Sequence, residues 1–318
     1  MEKSILTRLI SNKQMNFNTI LKIVRLGRLQ FVFGGFLFFC TGALLALLSN
    51  AEFSLIKFIM GYAALFTAHL SVSYSNDYFD LEVDKFQEPT RFSGGSGVLV
   101  TNPELRKFSK NFALALMGLS ITLAIITTII FQLPVSFFLL ILSGNLLGWY
   151  YSAPPLRLSY RGLSEFATVL TGFIVPGIGY VILMGRLDAV FLIFTIPLML
   201  YELLFIINVE IPDMEADSFG GKKTAVATYG RQFGFIIGAI AALMATLSFI
   251  FMPLVNLNLP TINWGLLVIF SLVPLGLGIL SARKKVVNRK SALKWVNYNL
   301  LSLSIFIIMI NAYFIYLI

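Results

Sequence analysis

The sequence predicts an all-α protein that crosses a lipid bilayer several times, because it is far more apolar than a soluble domain. Hydrophobic residues make up 58% of the 318 positions and charged residues only 12%, whereas soluble domains carry about 25% charged residues. Apolar runs recur along the chain, and each approaches the roughly 20 residues that a helix needs to cross the hydrocarbon core. A β-barrel would instead show short segments of alternating polarity.

The alternation of apolar and polar segments predicts nine transmembrane helices in one bundle. The first 28 residues are polar and basic and lack the short apolar core and cleavage site of a signal peptide. We therefore expect a cytoplasmic or interfacial segment over 1–28 and a transmembrane domain over 29–318. The predicted spans are 29–50, 54–76, 111–131, 135–152, 163–184, 189–210, 233–254, 263–282 and 296–318.

The distribution of positive charge predicts the orientation of these spans. Of the 24 Lys and Arg residues, all but Lys57 and Arg186 fall on one side. The positive-inside rule places that side in the cytoplasm of a cell-membrane protein, together with the N-terminus and the long loops, and places the C-terminus outside. The same topology explains the net charge of +9, so we expect a bilayer and no nucleic acid as partner.

A first acidic cluster follows the second predicted span, in the stretch SNDYFDLEVDK. Asp77, Asp80 and Asp84 are spaced i, i+3, i+7, so a continuing helix would present all three on one face. Asn76 precedes them and adds a neutral oxygen ligand. Repulsion between these like charges requires a cation nearby or full solvation.

A second acidic cluster follows the sixth span, on the same predicted side. Asp213 and Asp217 are spaced i, i+4, Asn208 lies upstream, and Pro212 is expected to break or restart the helix. Because four spans separate the clusters, their helices cross in the same direction, which suggests an internal repeat of four-helix units. Paired glycines and basic residues follow both clusters: Gly94, Gly95, Gly220 and Gly221, with Arg91, Lys222 and Lys223.

These residue types predict a site for a metal-bound diphosphate. Carboxylate and amide oxygens suit Mg²⁺, which commonly binds one or two carboxylates together with substrate phosphates. Metal ions alone would not require the neighbouring Lys and Arg residues. A phosphorylated substrate accounts for both signs of charge.

The paired motifs NDYFDLEVD and DMEAD, together with nine spans, resemble those of the UbiA superfamily of intramembrane prenyltransferases. The resemblance covers nearly the whole chain. It implies that two Mg²⁺ ions hold the diphosphate of a polyprenyl diphosphate donor between the motifs. The allylic C–O bond then ionises, and an electron-rich, lipid-soluble acceptor attacks the prenyl carbon.

The resemblance also assigns roles to individual residues. The segment WYYSAPPLRLSYRG is similar to the family as well, and there Tyr151 or Tyr150 is expected to reach the reaction centre. An interfacial aromatic belt with an inside-positive Arg explains this segment equally well. The implied metal ligands are Asp77, Asp80, Asp84, Asn208, Asp213 and Asp217, and the implied substrate-binding residues are Asn76, Arg91, Arg157, Asn208, Lys222 and Lys223.

The residues after the first motif favour one branch of the superfamily. The stretch TRFSGGSGVL departs from the Arg-Pro-x-x-Ser-Gly continuation of many members and looks more like the 1,4-dihydroxy-2-naphthoate prenyltransferases of menaquinone synthesis. Transfer to a glycerol-ether phosphate is the alternative within enzymes. A cation-coupled transporter is the alternative outside them, although transporter sites lie nearer the bilayer midplane.

Two ionisable residues lie deeper in the predicted spans. His69 is the only histidine and lies eight positions before Asp77; as a general base it competes with a structural role as a hydrogen-bonded intramembrane histidine. Glu202 lies in the sixth span, six positions before Asn208, where it is able to face a cavity.

Overall fold

The computed structural model describes residues 17–90, 92–255, 257, 259, 261–286 and 288–318. These residues form helices joined by short loops, and no strand occurs among them. The helices are α1 Phe17–Leu26, α2 Leu29–Leu48, α3 Leu55–Phe79, α4 Leu81–Asp84, α5 Val98–Thr101, α6 Arg106–Ile130, α7 Val135–Ser152, α8 Ser164–Met184, α9 Ala189–Glu210, α10 Met214–Phe219, α11 Ala225–Tyr229, α12 Arg231–Phe251, α13 Trp264–Arg283 and α14 Arg289–Leu317.

The prediction of an all-α protein with nine membrane spans is confirmed. Nine helices in the described part of the chain are long and apolar enough to cross a bilayer, namely α2, α3, α6, α7, α8, α9, α12, α13 and α14. The third and ninth spans begin earlier than the apolar runs predict, because their first turns are polar. Asn288 caps α14, where its Oδ1 accepts a hydrogen bond from Ser291 N at 2.8 Å.

The spans pack in a closed circuit. Each packs against the next in the chain, and α14 returns to pack against α2. A further contact joins α2 to α8. This arrangement surrounds a central space that is bordered at one end by the last residues of α3 and α9.

The α2–α8 contact depends on glycines that let the two backbones touch. Gly42 lies directly against the carbonyl group of Pro176, and Gly179 against that of Phe39. Small residues allow this close approach, which supplies dispersion contacts that larger side chains would prevent. The two helices thereby fix the walls of the central space.

Helix α1 is amphipathic and lies outside the bundle. Its apolar residues Phe17, Leu21 and Val24 are exposed, and Tyr74 of α3 anchors it by donating its hydroxyl to Ile23 O at 2.8 Å. An exposed apolar face next to a membrane domain is typical of an interfacial helix. Residues 1–16 of the predicted N-terminal segment lie outside the described residues.

We expect Gly42→Ala to lower the thermal stability of the detergent-solubilised protein, because the added methyl group would displace the Pro176 carbonyl. Overpacking of this kind costs about 1–3 kcal/mol. Gly118→Ala is the matched control, since no atom lies within 4 Å of the position its Cβ would take. Equal unfolding temperatures for the two variants would show that the α2–α8 contact is not tight.

Candidate active site

The central space is a cavity of about 410 Å³ bounded by α2, α3, α7, α8, α9 and α14. Its wall changes character with depth. Acidic residues gather where α3 and α9 end, and aliphatic and aromatic side chains line the opposite end. A ligand with a charged head and an apolar tail matches this gradient.

The first acidic cluster lines this cavity. Helix α3 ends at Phe79, Asp80 leaves helical geometry, and the chain resumes as α4. The single continuous face predicted from the spacing is therefore interrupted, yet Asp77, Asp80 and Asp84 all remain buried in the cavity wall. Asn76 joins them, and no hydrogen-bond partner of its Oδ1 is found among the described residues.

The second acidic cluster lines the same cavity from the other side. Helix α9 ends at Glu210, a single 3₁₀ turn over Ile211–Asp213 contains Pro212, and α10 follows. The predicted helix break at Pro212 is confirmed. Asp213 and Asp217 are buried and face the cavity.

Glu210 is a site residue that the sequence analysis missed. It lines the cavity, is buried, and neither carboxylate oxygen has a hydrogen-bond donor among the described residues. The signal was present, because Glu210, Asp213 and Asp217 repeat the i, i+3, i+7 spacing of the first cluster. Each helix end thus contributes three carboxyl groups to one cavity.

Asn208 does not reach the cavity, so the structure gives no support to its predicted role as a metal ligand. Its Oδ1 accepts a hydrogen bond from Asn299 Nδ2 at 2.9 Å, and its own Nδ2 donates to Leu204 O at 2.8 Å. Positions two apart on a helix point in nearly opposite directions. Because Glu210 faces the cavity, Asn208 faces α14 instead.

The loop after α4 crosses the cavity and joins the two clusters. Ser96 N donates to Asp77 Oδ2 at 3.2 Å, and Gly94 N donates to Asp213 Oδ2 at 3.0 Å. Gly95 has φ +61 and lies against the Asp84 carboxylate, so a side chain at this position would meet both strain and a clash. The loop therefore covers the acidic end of the cavity with backbone N–H groups.

Lys222 is the cation that lies between the clusters. Its Nζ is 3.0 Å from Asp80 Oδ2 and 3.6 Å from Asp217 Oδ1. The chain turns back at Gly221 (φ +79), and Lys222 N donates to Asp217 O at 2.9 Å, which places the side chain in the cavity. Burial opposes its charge, but the two carboxylates outweigh burial and raise the Lys222 pKa well above its ordinary value.

Charge is strongly unbalanced at this end of the cavity. Six carboxyl groups face only two cationic side chains, Arg28 and Lys222, among the described lining residues. Burial, reinforced by the carboxylates of Asp77 and Asp80, raises the pKa of Asp84 to about 8. Bound cations would relieve this repulsion.

The remaining predicted residues are placed at different distances from the cavity. Tyr151 lines it, whereas Arg157 is exposed and stacks on Tyr160, with its guanidinium carbon 3.8 Å from the ring centroid. The Tyr160 hydroxyl in turn donates to Asp80 Oδ1 at 2.9 Å. Lys223 is exposed and does not line the cavity. Arg91 lies outside the described residues.

Arg289, at the start of α14, joins the two halves of the acidic end from outside the cavity. Its guanidinium group donates to Pro212 O at 2.9 Å, to Glu88 O at 2.7 Å and to Glu88 Oε2 at 2.8 Å. Pro212 lies in the 3₁₀ turn that carries Asp213 of the second cluster, and Glu88 lies in the loop that follows the first cluster. Arg289 therefore holds this loop in place over the cavity.

The carboxylates form an open arrangement. Among the described residues, no three of them converge closely enough to form a preassembled metal site. Unpaired oxygens of Asn76, Glu210 and Asp213 nevertheless face one buried, negatively charged space. This donor set fits Mg²⁺, which retains waters and completes its shell with substrate phosphates.

The comparison with known families decides the assignment of this cavity. A sequence model of the UbiA prenyltransferase family matches residues 36–309. The chain belongs to the UbiA prenyltransferase family. It is therefore an enzyme of prenyl transfer embedded in a membrane, which excludes the transporter alternative. A search among curated proteins finds no match.

Solved structures share the UbiA fold at low sequence identity. A UbiA homologue from Archaeoglobus fulgidus bound to GPP and Mg²⁺ has a TM-score of 0.67 at 17% identity, over 93% of this chain and 99% of that one. A digeranylgeranylglyceryl phosphate synthase has a TM-score of 0.67 at 18% identity, over 94% and 100%. The apo UbiA homologue from Aeropyrum pernix K1 has a TM-score of 0.63 at 18% identity, over 89% and 97%.

The two adjacent lysines allow a matched test of the cavity. We expect Lys222→Ala to reduce kcat/KM for prenyl transfer by about 10²-fold or more, because it removes buried positive charge between the clusters. Lys223→Ala should stay within about twofold, since this side chain is exposed. Diphosphate release measures both, and equal losses would contradict the placement of Lys222.

The loop contact of Arg289 is testable by hydrogen exchange. Arg289→Ala should speed amide exchange over residues 85–97, because three hydrogen bonds to Pro212 and Glu88 are lost. The neighbouring exposed Lys290 supplies the control Lys290→Ala. Unchanged exchange in the Arg289 variant would mean that the loop is held by its cavity contacts alone.

Proposed function

We propose that this protein transfers an isoprenyl group from a polyprenyl diphosphate to a lipid-soluble aromatic acceptor in a Mg²⁺-dependent reaction. The acceptor is a quinone precursor of the 1,4-dihydroxy-2-naphthoate type, as in menaquinone synthesis. The observation that carries the proposal is the meeting of two acidic helix ends around Lys222 at one end of a largely apolar cavity.

The residues of the acidic end bind the diphosphate of the donor. Lys222 and Arg28 offer positive charge to it, and the loop over Gly94–Ser96 holds the Asp213 and Asp77 carboxylates beside it through Gly94 N and Ser96 N. Diphosphate departs with the electron pair of the allylic C–O bond, so negative charge grows where these groups lie. The ring carbon of the acceptor then forms the new C–C bond and loses its proton, which the released diphosphate takes up.

Two Mg²⁺ ions bound here would supply the remaining positive charge that the departing diphosphate needs. The residues that would hold them are Asp77, Asp80 and Asp84 from the first cluster and Glu210, Asp213 and Asp217 from the second. Asn76 contributes a neutral oxygen at the same end. The substrate-binding role predicted for Arg91 stays a prediction, and the exposed Lys223 has no assigned contact with the donor.

The apolar part of the cavity protects the developing allylic cation from water. Phe31, Phe38 and Ile178 are among the residues that line it, and none offers a nucleophile. Tyr151 lines the same cavity, and its ring faces the reacting carbon in our assignment. The hydrocarbon tail of the donor extends from there toward the bilayer.

The orientation of the enzyme follows from its charge distribution. The acidic end of the cavity lies on the side that carries 22 of the 24 Lys and Arg residues. We assign this side, the N-terminal segment 1–28 and the active-site loops to the cytoplasm, and the C-terminus to the outside. Residues 29–318 form the transmembrane prenyltransferase domain.

An acceptor panel tests the proposal directly. Purified protein with Mg²⁺ and geranylgeranyl diphosphate should release diphosphate with 1,4-dihydroxy-2-naphthoate and yield a product heavier by one prenyl group. If only a glycerol-ether phosphate is prenylated, the alternative acceptor is favoured, as the name of the structurally similar digeranylgeranylglyceryl phosphate synthase suggests for that protein. Turnover that persists in EDTA would overturn the Mg²⁺ assignment.

Substitution of one carboxylate in each cluster tests the site. We expect Asp80→Asn and Asp213→Asn each to reduce turnover by about 10³-fold, since each removes buried negative charge that offsets bound cations. Glu82→Gln is the matched control, because Glu82 is exposed and pairs with Lys85 at 2.7 Å. Full activity in both Asn variants would exclude the two-cluster site.

A further inference from the structure

Two ionisable side chains line the cavity far from its acidic end. His69 lies on α3, eight residues before Asp77, and Glu202 lies on α9, eight residues before Glu210. Eight residues of α-helix span about 12 Å. Because α3 and α9 carry their acidic clusters at the same end of the cavity, His69 and Glu202 lie at a similar depth. They define a polar level inside an otherwise apolar wall.

The protein leaves much of the hydrogen-bonding capacity at this level unused. No described residue donates a hydrogen bond to the His69 imidazole or accepts one from it, and His69 lies over Gly35 of α2, where any side chain would collide with it. Thr171 of α8 is the polar neighbour of Glu202, but it donates its single hydroxyl proton to Thr168 O at 2.6 Å. Burying polar groups without partners is costly, so a ligand that supplies them is favoured.

The chemistry of this level selects the kind of ligand. The cationic side chains among the described lining residues, Arg28 and Lys222, both lie toward the acidic end. Among the described residues, no Lys or Arg side chain therefore lines the cavity beside Glu202, where it could bind a phosphate group. A carboxylate and an imidazole that line one cavity instead bond hydroxyl groups, and the surrounding apolar side chains accept an aromatic ring.

We propose that His69 and Glu202 form the acceptor subsite, in which they bind the phenolic hydroxyl groups of an aromatic acceptor. The inference rests on the proposed function, because it places the acceptor beside the prenyl carbon of a donor held at the acidic end. Glu202 accepts a phenolic O–H, and His69 bonds the second hydroxyl. The pair determines specificity for hydroxylated rings over phosphorylated lipids.

The test compares acceptor KM with donor KM in two variants. Glu202→Gln and His69→Phe should each raise the KM for 1,4-dihydroxy-2-naphthoate about tenfold, the effect of losing a hydrogen bond to a charged or buried partner. The KM for geranylgeranyl diphosphate should change less than about twofold, because its diphosphate binds at the acidic end, about 12 Å away along the helix axes. Thr246→Val is the control, since Thr246 is buried, donates to Ala242 O at 3.0 Å and does not line the cavity.

The preference for hydroxylated over unhydroxylated ring inhibitors is a second readout, and partial unfolding would not change this preference. Wild-type enzyme should be inhibited more strongly by 1-hydroxy-2-naphthoate than by 2-naphthoate, and Glu202→Gln should lose most of this preference. If both variants keep the wild-type acceptor KM and preference, or if donor KM rises equally, the subsite is wrong. If wild-type enzyme prenylates no aromatic acceptor, the proposed function itself fails, which is a separate result.

Discussion

The contact of Lys222 with Asp80 and Asp217 is the interaction on which the arrangement of the acidic end depends. Six carboxyl groups are buried in one cavity of an apolar bundle, where each one repels the others. Lys222 offsets part of that repulsion and holds the two clusters at a fixed separation. Removing one partner of such a buried pair leaves an uncompensated charge, which is far more costly than losing an exposed ion pair. In the proposed function, the residual negative charge favours Mg²⁺ ions that bind together with a diphosphate.

The rest of the fold arranges three levels along one cavity. The helix ends and the loop over Gly94 and Gly95 form an acidic level closed by backbone N–H groups. His69 and Glu202 form a polar level about 12 Å deeper, and apolar side chains from α2, α7 and α8 fill the remaining wall. The tight α2–α8 contact at Gly42 and Gly179 keeps this wall rigid. The charged head of a prenyl diphosphate fits the acidic level, the hydroxyl groups of an aromatic acceptor fit the polar level, and the apolar tail of the donor fits the remaining wall.

Much of this architecture could be predicted from the sequence because it depends on strong, local signals. Hydropathy located all nine spans, and the spacing of Asp77, Asp80 and Asp84 pointed to a helix end that lines the cavity. Asn208 was predicted from its chemical type alone, and its position on the helix turns it toward Asn299 and away from the cavity. The same phase argument would have found Glu210. The choice between Lys222 and Lys223 depends on the turn at Gly221, whose geometry the sequence does not specify.

A double-mutant cycle on donor binding tests most directly whether the two clusters form one site. The dissociation constant of a non-hydrolysable prenyl diphosphate would be measured with Mg²⁺ for wild type, Asp84→Asn, Asp217→Asn and the double variant. If both clusters hold the same diphosphate, the double variant should bind little more weakly than either single variant, since one loss already disrupts the shared site. Independent, additive losses would contradict a single shared site.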